Sequence, residues 1–166
     1  FNEGLEYALI PLKGLYMIDE VPFKEYGLKT VIYPIPPLKT NNFLGVHTTL
    51  TTDGKLKLGP TAVPSFWRED YEGWKTFKLD EFLEIIGQYI RIGFSRKVFW
   101  YVNLLLNEIK KSYMPYLIKE GKKLINVYDK GGNENPKFKA GKSAIRTQLI
   151  NKKDFSFMND FIILDR

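Results

Sequence analysis

FLGVHTTLTTDGKLKLGPTAV, residues 43–63, decides how the chain reads. Two runs rich in Val, Thr and Leu flank Thr52, Asp53 and Gly54. Asp-Gly between such runs is a strong hairpin signal, because glycine reaches the left-handed backbone that a tight turn needs. Two registers compete. A two-residue turn at Asp53 and Gly54 would set Leu50 opposite Lys57 on one face. A three-residue loop, Thr52 to Gly54 with Gly54 left-handed, pairs Leu50 with Leu56 instead. The second keeps the apolar set together and is the register expected. Leu44, Val46, Thr48 and Leu50 then point to one side, and Phe43, Gly45, His47, Thr49 and Thr51 to the other.

Working outward, the region from Leu5 to Thr61 reads as strands: Tyr7 to Ile18, Leu28 to Ile35, Phe43 to Thr51 and Leu56 to Leu58. Pro34, Pro36 and Pro37 end the second of these, since proline cannot donate to a ladder. The middle is helical. Leu79, Phe82, Leu83, Ile86 and Ile90 recur at helical spacing, with Asp80 and Glu81 suited to the first turn. A second helix is expected from Ser95 as N-cap through Val98, Val102, Leu105 and Ile109. Pro115 opens a third, because a first-turn position needs no amide donor. Lys130 to Gly141 reads as a loop, and Ser143 to Ile150 and Phe157 to Leu164 as strands. The expectation is a single α+β domain, mainly antiparallel sheet: strands over 5–63, a helical insert over 78–125 and strands over 142–165.

The 166 residues are long enough to bury a core, and 44% hydrophobic with 27% charged is ordinary for a globular chain. With no cysteine and one histidine, the sequence excludes disulfides, thiolate chemistry and multi-histidine metal sites. No metal is expected. The net charge of +6 is local: residues 1–107 balance, whereas residues 108–153 carry 12 basic against 4 acidic side chains. No glycine-rich strand-turn-helix fingerprint, phosphate loop or nucleophile elbow occurs. Beginning at Phe1, the sequence reads as a fragment.

Few residues can carry chemistry. His47, the only side chain that ordinarily titrates near neutrality, reads either as a general base or as a structural hydrogen-bonding residue. Arg146 shares a strand face with Gln148. It is either a fixed guanidinium for a carboxylate or an ordinary edge-strand arginine. Gly59 and Pro60 either bring backbone close to a ligand or end a strand. Lys110, Lys111, Lys119, Lys122 and Lys123, interleaved with Tyr113, Tyr116, Leu117 and Ile125, suit an anionic membrane surface or a solvated face. No nucleic-acid motif accompanies that charge, and no nucleic-acid partner is expected.

In order along the chain, several segments resemble one family. Ile10 to Tyr16 is similar to a Pro-x-(Arg/Lys)-Gly-x-Tyr strand. Ile32 to Pro36 with Phe43 to Thr49 is similar to "IYPVP … FLGVHFT". Asp53 and Gly54 with Leu58 to Val63 are similar to "DG … LGPNAV", and Phe66 to Tyr71 to "FxREGY". Ile145 to Gln148 resembles "VRAQ", and Asn159 to Phe161 the "DDF" that follows it. The family is that of the FAD-dependent L-2-hydroxyglutarate oxidases and dehydrogenases, among the D-amino-acid-oxidase-like flavoproteins. The resemblance implies a substrate domain, with the FAD-binding segments outside this chain. It implies oxidation of an L-2-hydroxy acid, most simply L-2-hydroxyglutarate, by hydride transfer to FAD. By the same resemblance His47 is the catalytic base and Arg146 the carboxylate ligand, with Gln148 and Lys13 as further substrate contacts. The electron acceptor is expected to be quinone or oxygen, and the protein cytoplasmic with peripheral membrane contact. Ala144 and Thr147 replace a glycine and an alanine beside Arg146, and the lysine-rich stretch 119–142 lengthens the pattern. Glycerol 3-phosphate or an amino acid therefore stand as alternative substrates, and a non-catalytic binding or membrane-docking module as the alternative class.

Overall fold

The structure, a computed structural model, describes residues 6–22, 29–35, 45–124, 138–158 and 162–163. Its strands are β1 (Tyr7–Gly14), β2 (Met17–Pro22), β3 (His47–Leu50), β4 (Lys55–Gly59), β5 (Val63–Pro64), β6 (Phe138–Ala140) and β7 (Ala144–Asn151). The α-helices described are α1 (Leu79–Gly93), α2 (Val98–Ser112) and α3 (Met114–Leu124). The architecture is α+β with antiparallel pairing, as the hairpin and helical periodicities imply. Contacts divide the chain into two compact units. One comprises Phe1–Lys13, Pro64–Leu106 and Ala144–Arg166, and the other Gly14–Val63 and Asn107–Ser143.

The second unit is built on a four-stranded sheet in the order β3-β4-β2-β6. The hairpin takes the three-residue loop. Leu50 pairs with Leu56, Gly54 has φ 79°, and the Thr51 amide donates to the Lys55 carbonyl (2.9 Å). From this register Thr48, Leu56, Leu58, Met17 and Phe138 fall on one face, and α3 packs there through Leu117 and Ile118. Leu58 is fully buried, and a Cβ on Gly121 would lie 2.7 Å from its Cδ1. That close approach lets the helix backbone sit down on the sheet. Pro115 stands in the first turn of α3, where its missing N–H costs nothing.

Four expectations for this region need correction. Tyr7 to Ile18 is two strands belonging to different sheets. At the break, Leu15 leaves the ladder to bond Thr61, its amide donating to Oγ1 (3.1 Å) and its carbonyl accepting from the Thr61 amide (3.2 Å). Within 29–35, the described part of the strand expected over 28–35, there is only an isolated bridge, Ile32 to Thr48. Pro34 lacks the donor for a further rung, and its ring fills the space above Gly45. The strand expected from Phe43 begins at His47, residues 43 and 44 lying outside the described residues. Phe138–Ala140, read as loop, is a strand paired with β2, because Phe138 has a core site to fill. Residues 130–137 of that loop lie outside the described residues.

The first unit has a three-stranded sheet, β5-β1-β7. The Lys152 amide, just past the end of β7, donates to Glu6, just before β1 (2.8 Å), so these two strands run antiparallel. Ile10, Trp67, Ile85, Ile92 and Ile150 are buried. The segment Phe66 to Tyr71 is a structural corner. Trp67 stacks with Trp74, the Arg68 amide donates to Glu81 (2.8 Å), and Asp70 accepts from Ser65 Oγ (3.1 Å).

The apolar face expected on α1 is not the buried one. Leu79, Leu83 and Ile90 are 61%, 59% and 55% exposed, while Glu81, Ile85, Gln88 and Ile92 point inward. Glu81 is tolerated there because the Arg68 amide and Lys78 Nζ (3.2 Å) satisfy its carboxylate. In α2, Glu108 is buried, accepting from the Ala62 amide (2.9 Å) and pairing with Lys111, and Val102 and Ile109 are exposed. The helix starts at Val98 rather than directly after Ser95, whose hydroxyl caps the preceding turn by accepting from the Lys97 amide (3.2 Å). Of the last expected strand, Phe157 makes an isolated bridge to Ile150, and Ile162 and Ile163 are not in strand. Residues 159–161 and 164 lie outside the described residues.

Glu81 gives a pH prediction. The Arg68 amide, and then Lys78, hold its carboxyl below the ordinary 4.5. A lowered folded value means stability that is present above 4.5 and lost as pH falls through the lowered value. Denaturant midpoints taken between about pH 6 and 3 should therefore fall more steeply for the parent chain than for Glu81→Gln. Parallel curves would show that this contact carries no pH dependence.

Candidate active site

His47 opens β3 and is 9% exposed. Its Nδ1 lies 3.1 Å from the Gly45 carbonyl oxygen. A carbonyl can only accept, so Nδ1 is the donor in this contact, which leaves Nε2 as the ring nitrogen able to accept a proton. Among the described residues nothing hydrogen-bonds to that nitrogen. The ring rests on Tyr33, with centroids 4.4 Å apart at a tilt of 32°. Orientation and tautomer are thus fixed by two contacts, as a proton acceptor requires.

Across the ladder from His47 stands Gly59. Its φ is 141°, and a Cβ there would meet the Leu15 carbonyl at 2.7 Å and Tyr16 Cδ1 at 2.9 Å. Only glycine fits, and the imidazole has no side chain directly opposite it. Tyr16 lies over this spot, and burial first, then Tyr33, raises its phenol above the ordinary value. Lys57 Nζ sits 3.6 Å from the Tyr16 ring centroid. Lys57 pairs with Thr49, two residues along from the His47–Gly59 pair, so it shares the face of His47. His47, Tyr33, Tyr16 and Lys57 therefore form one cluster inside the second unit.

The other expected residues belong to the first unit. Lys13, near the end of β1, pairs with Asp70 (2.9 Å), and Asp70 also holds Ser65. Its ammonium thus already has a carboxylate. Gln148, in β7, is buried and donates from Nε2 to the Met158 carbonyl (3.0 Å), tying down the segment after the strand. Arg146, two residues earlier, has an exposed side chain. With β1 and β7 antiparallel, Lys13 and Arg146 lie towards the same end of that sheet.

Sequence reading missed Tyr16, Tyr33 and Lys57. For Lys57 the signal was present, since the hairpin register that separates Leu50 from His47 also sets Lys57 on the histidine side. For the tyrosines it was not, because both contacts depend on backbone turns outside the strands.

No protein-family model matches the sequence. Among curated proteins, the mouse mitochondrial L-2-hydroxyglutarate dehydrogenase is 30% identical over 158 residues, covering 93% of this chain and 31% of that protein. The bacterial L-2-hydroxyglutarate dehydrogenases of Indibacter alkaliphilus and Escherichia coli K12 are 33% and 35% identical, over 59% and 66% of the chain and 28% and 25% of their own lengths. The chain is a homologue of part of the L-2-hydroxyglutarate dehydrogenases. It spans about a third or less of the length of these relatives. The match to the mouse dehydrogenase covers nearly the whole chain and so takes in residues of both units.

Proposed function

We propose that the full-length protein is an FAD-dependent oxidoreductase that converts L-2-hydroxyglutarate to 2-oxoglutarate, and that this chain is its substrate domain. The observation that carries the reading is His47: a lone imidazole with Nδ1–H held by the Gly45 carbonyl and Nε2 left as a proton acceptor. The names of the homologues support the substrate and the reaction class.

Oxidising a secondary alcohol removes a hydride from carbon and a proton from oxygen. The described residues supply groups for the proton and for the carboxylate. No glycine-rich nucleotide-holding turn stands among them, so they fit the substrate side of a flavin site rather than the dinucleotide side. FAD, bound by other parts of the protein, supplies the two-electron acceptor. His47 Nε2 takes the hydroxyl proton, and the oxygen left behind pushes the C2 hydride out as the carbonyl forms. Burial of the imidazole against Tyr33 keeps it in one orientation through that transfer. By the family resemblance, Arg146 is the residue that offers a planar fork to a substrate carboxylate.

Turnover with an artificial electron acceptor tests the reading. Formation of 2-oxoglutarate from the L enantiomer and not from the D enantiomer is expected. Product from neither would remove it.

A further inference from the structure

The geometry points to Lys57 as an anion-binding residue of the His47 site, one that receives the distal carboxylate of a dicarboxylic 2-hydroxy acid. The inference rests on the reading of His47 as the base and adds the feature that would select a dicarboxylate.

Register comes first. His47 pairs with Gly59 and Thr49 with Lys57, so Lys57 is the diagonal neighbour of His47 on the same sheet face. Diagonal Cβ atoms in an antiparallel pair are about 7 Å apart, within reach of one small ligand held between two side chains. Gly59 carries no side chain, and the place across from the imidazole is taken by the Tyr16 ring, beside which the Lys57 ammonium sits.

The seat of the ammonium comes second. Nζ rests 3.6 Å from the Tyr16 centroid, so the cation is held over an aromatic face rather than swinging in water. Tyr16 itself is fixed by packing on Gly59. A long side chain ordered before binding loses less rotamer freedom when an anion arrives.

Charge comes third. In this unit Asp53 pairs with Lys55, Glu20 with Lys139, Glu108 with Lys111, and Glu120 with Lys123. Among the described residues no carboxylate pairs with Lys57, although it stands beside the one histidine. A cation kept on an aromatic seat and left without a carboxylate suits an external one. In 2-hydroxyglutarate the distal carboxylate lies three carbon–carbon bonds from the carbon that carries the hydroxyl. The base and the Lys57 cation thus address different ends of one short molecule.

The experiment compares full-length protein with Lys57→Met, which keeps the aliphatic stem over Tyr16 and removes the charge. Dissociation constants for glutarate and butyrate, measured by calorimetry, give the preference for two carboxylates over one. That preference is expected to fall about tenfold or more in Lys57→Met and to be largely restored in Lys57→Arg. An unchanged preference, or equal weakening of both ligands, would overturn the assignment. Because binding is read without turnover, failure of the wild-type protein to oxidise L-2-hydroxyglutarate would count against the proposed reaction and leave the Lys57 result to be judged by itself.

Discussion

His47→Gln in the full-length protein is expected to slow flavin reduction by L-2-hydroxyglutarate about a hundred- to ten-thousandfold, while substrate affinity changes far less. The Gly45 carbonyl accepts from Nδ1 and Tyr33 holds the ring, so the lone pair on Nε2 is fixed in direction. Glutamine can keep a donor towards Gly45 and much of the packing on Tyr33, but its carbonyl is too weak a base to take the proton. Rapid-mixing absorbance at the flavin band separates the two effects, since the limiting rate reads the proton step and the half-saturating concentration reads binding. Equal reduction rates would show that His47 is a structural residue of the hairpin.

Arg146→Lys carries the second large effect, an expected rise in KM of about ten- to a hundredfold. Lysine keeps the charge but loses the planar fork that can hold both carboxylate oxygens at once. Arg146 has an exposed side chain near the start of β7, so the folded state should tolerate the change. Thermal denaturation provides the control. A KM within twofold of the parent value, with Tm unchanged, would remove Arg146 from the substrate site.

How much of this was legible in the sequence depended on whether the cause was local. The hairpin register was readable because Asp53-Gly54 and the alternation around it determine pairing within a dozen residues. The split of Tyr7 to Ile18 was not, because both halves are β-prone and the break is made by Thr61, far along the chain. The buried face of α1 was misread because apolar periodicity assumes that burial follows hydrophobicity. Glu81 is instead drawn inward by an amide and an ammonium from other segments. Phe138 was hidden among glycine, asparagine and proline, where composition argues for a loop and only the core site beside Met17 argues otherwise.

The same division holds for the candidate site. His47 stood out as the only histidine, yet its tautomer could not be read, because that depends on where the Gly45 carbonyl points. Lys13 was proposed from its position in a motif, and the structure gives it an internal partner, Asp70, within the corner that also orders Trp67. Gln148 likewise holds the chain after β7 through the Met158 carbonyl. Both of these contacts join segments that a strand pattern does not relate.

In the proposed reaction this chain supplies the proton acceptor of a flavin-dependent 2-hydroxy acid oxidation. Anaerobic titration of the yellow full-length protein tests it most directly. Stoichiometric L-2-hydroxyglutarate should bleach the flavin absorbance with release of one equivalent of 2-oxoglutarate, and the D enantiomer should leave the spectrum unchanged. A full-length protein that purifies without flavin, or a flavin that stays oxidised with the L enantiomer in excess, would contradict the account.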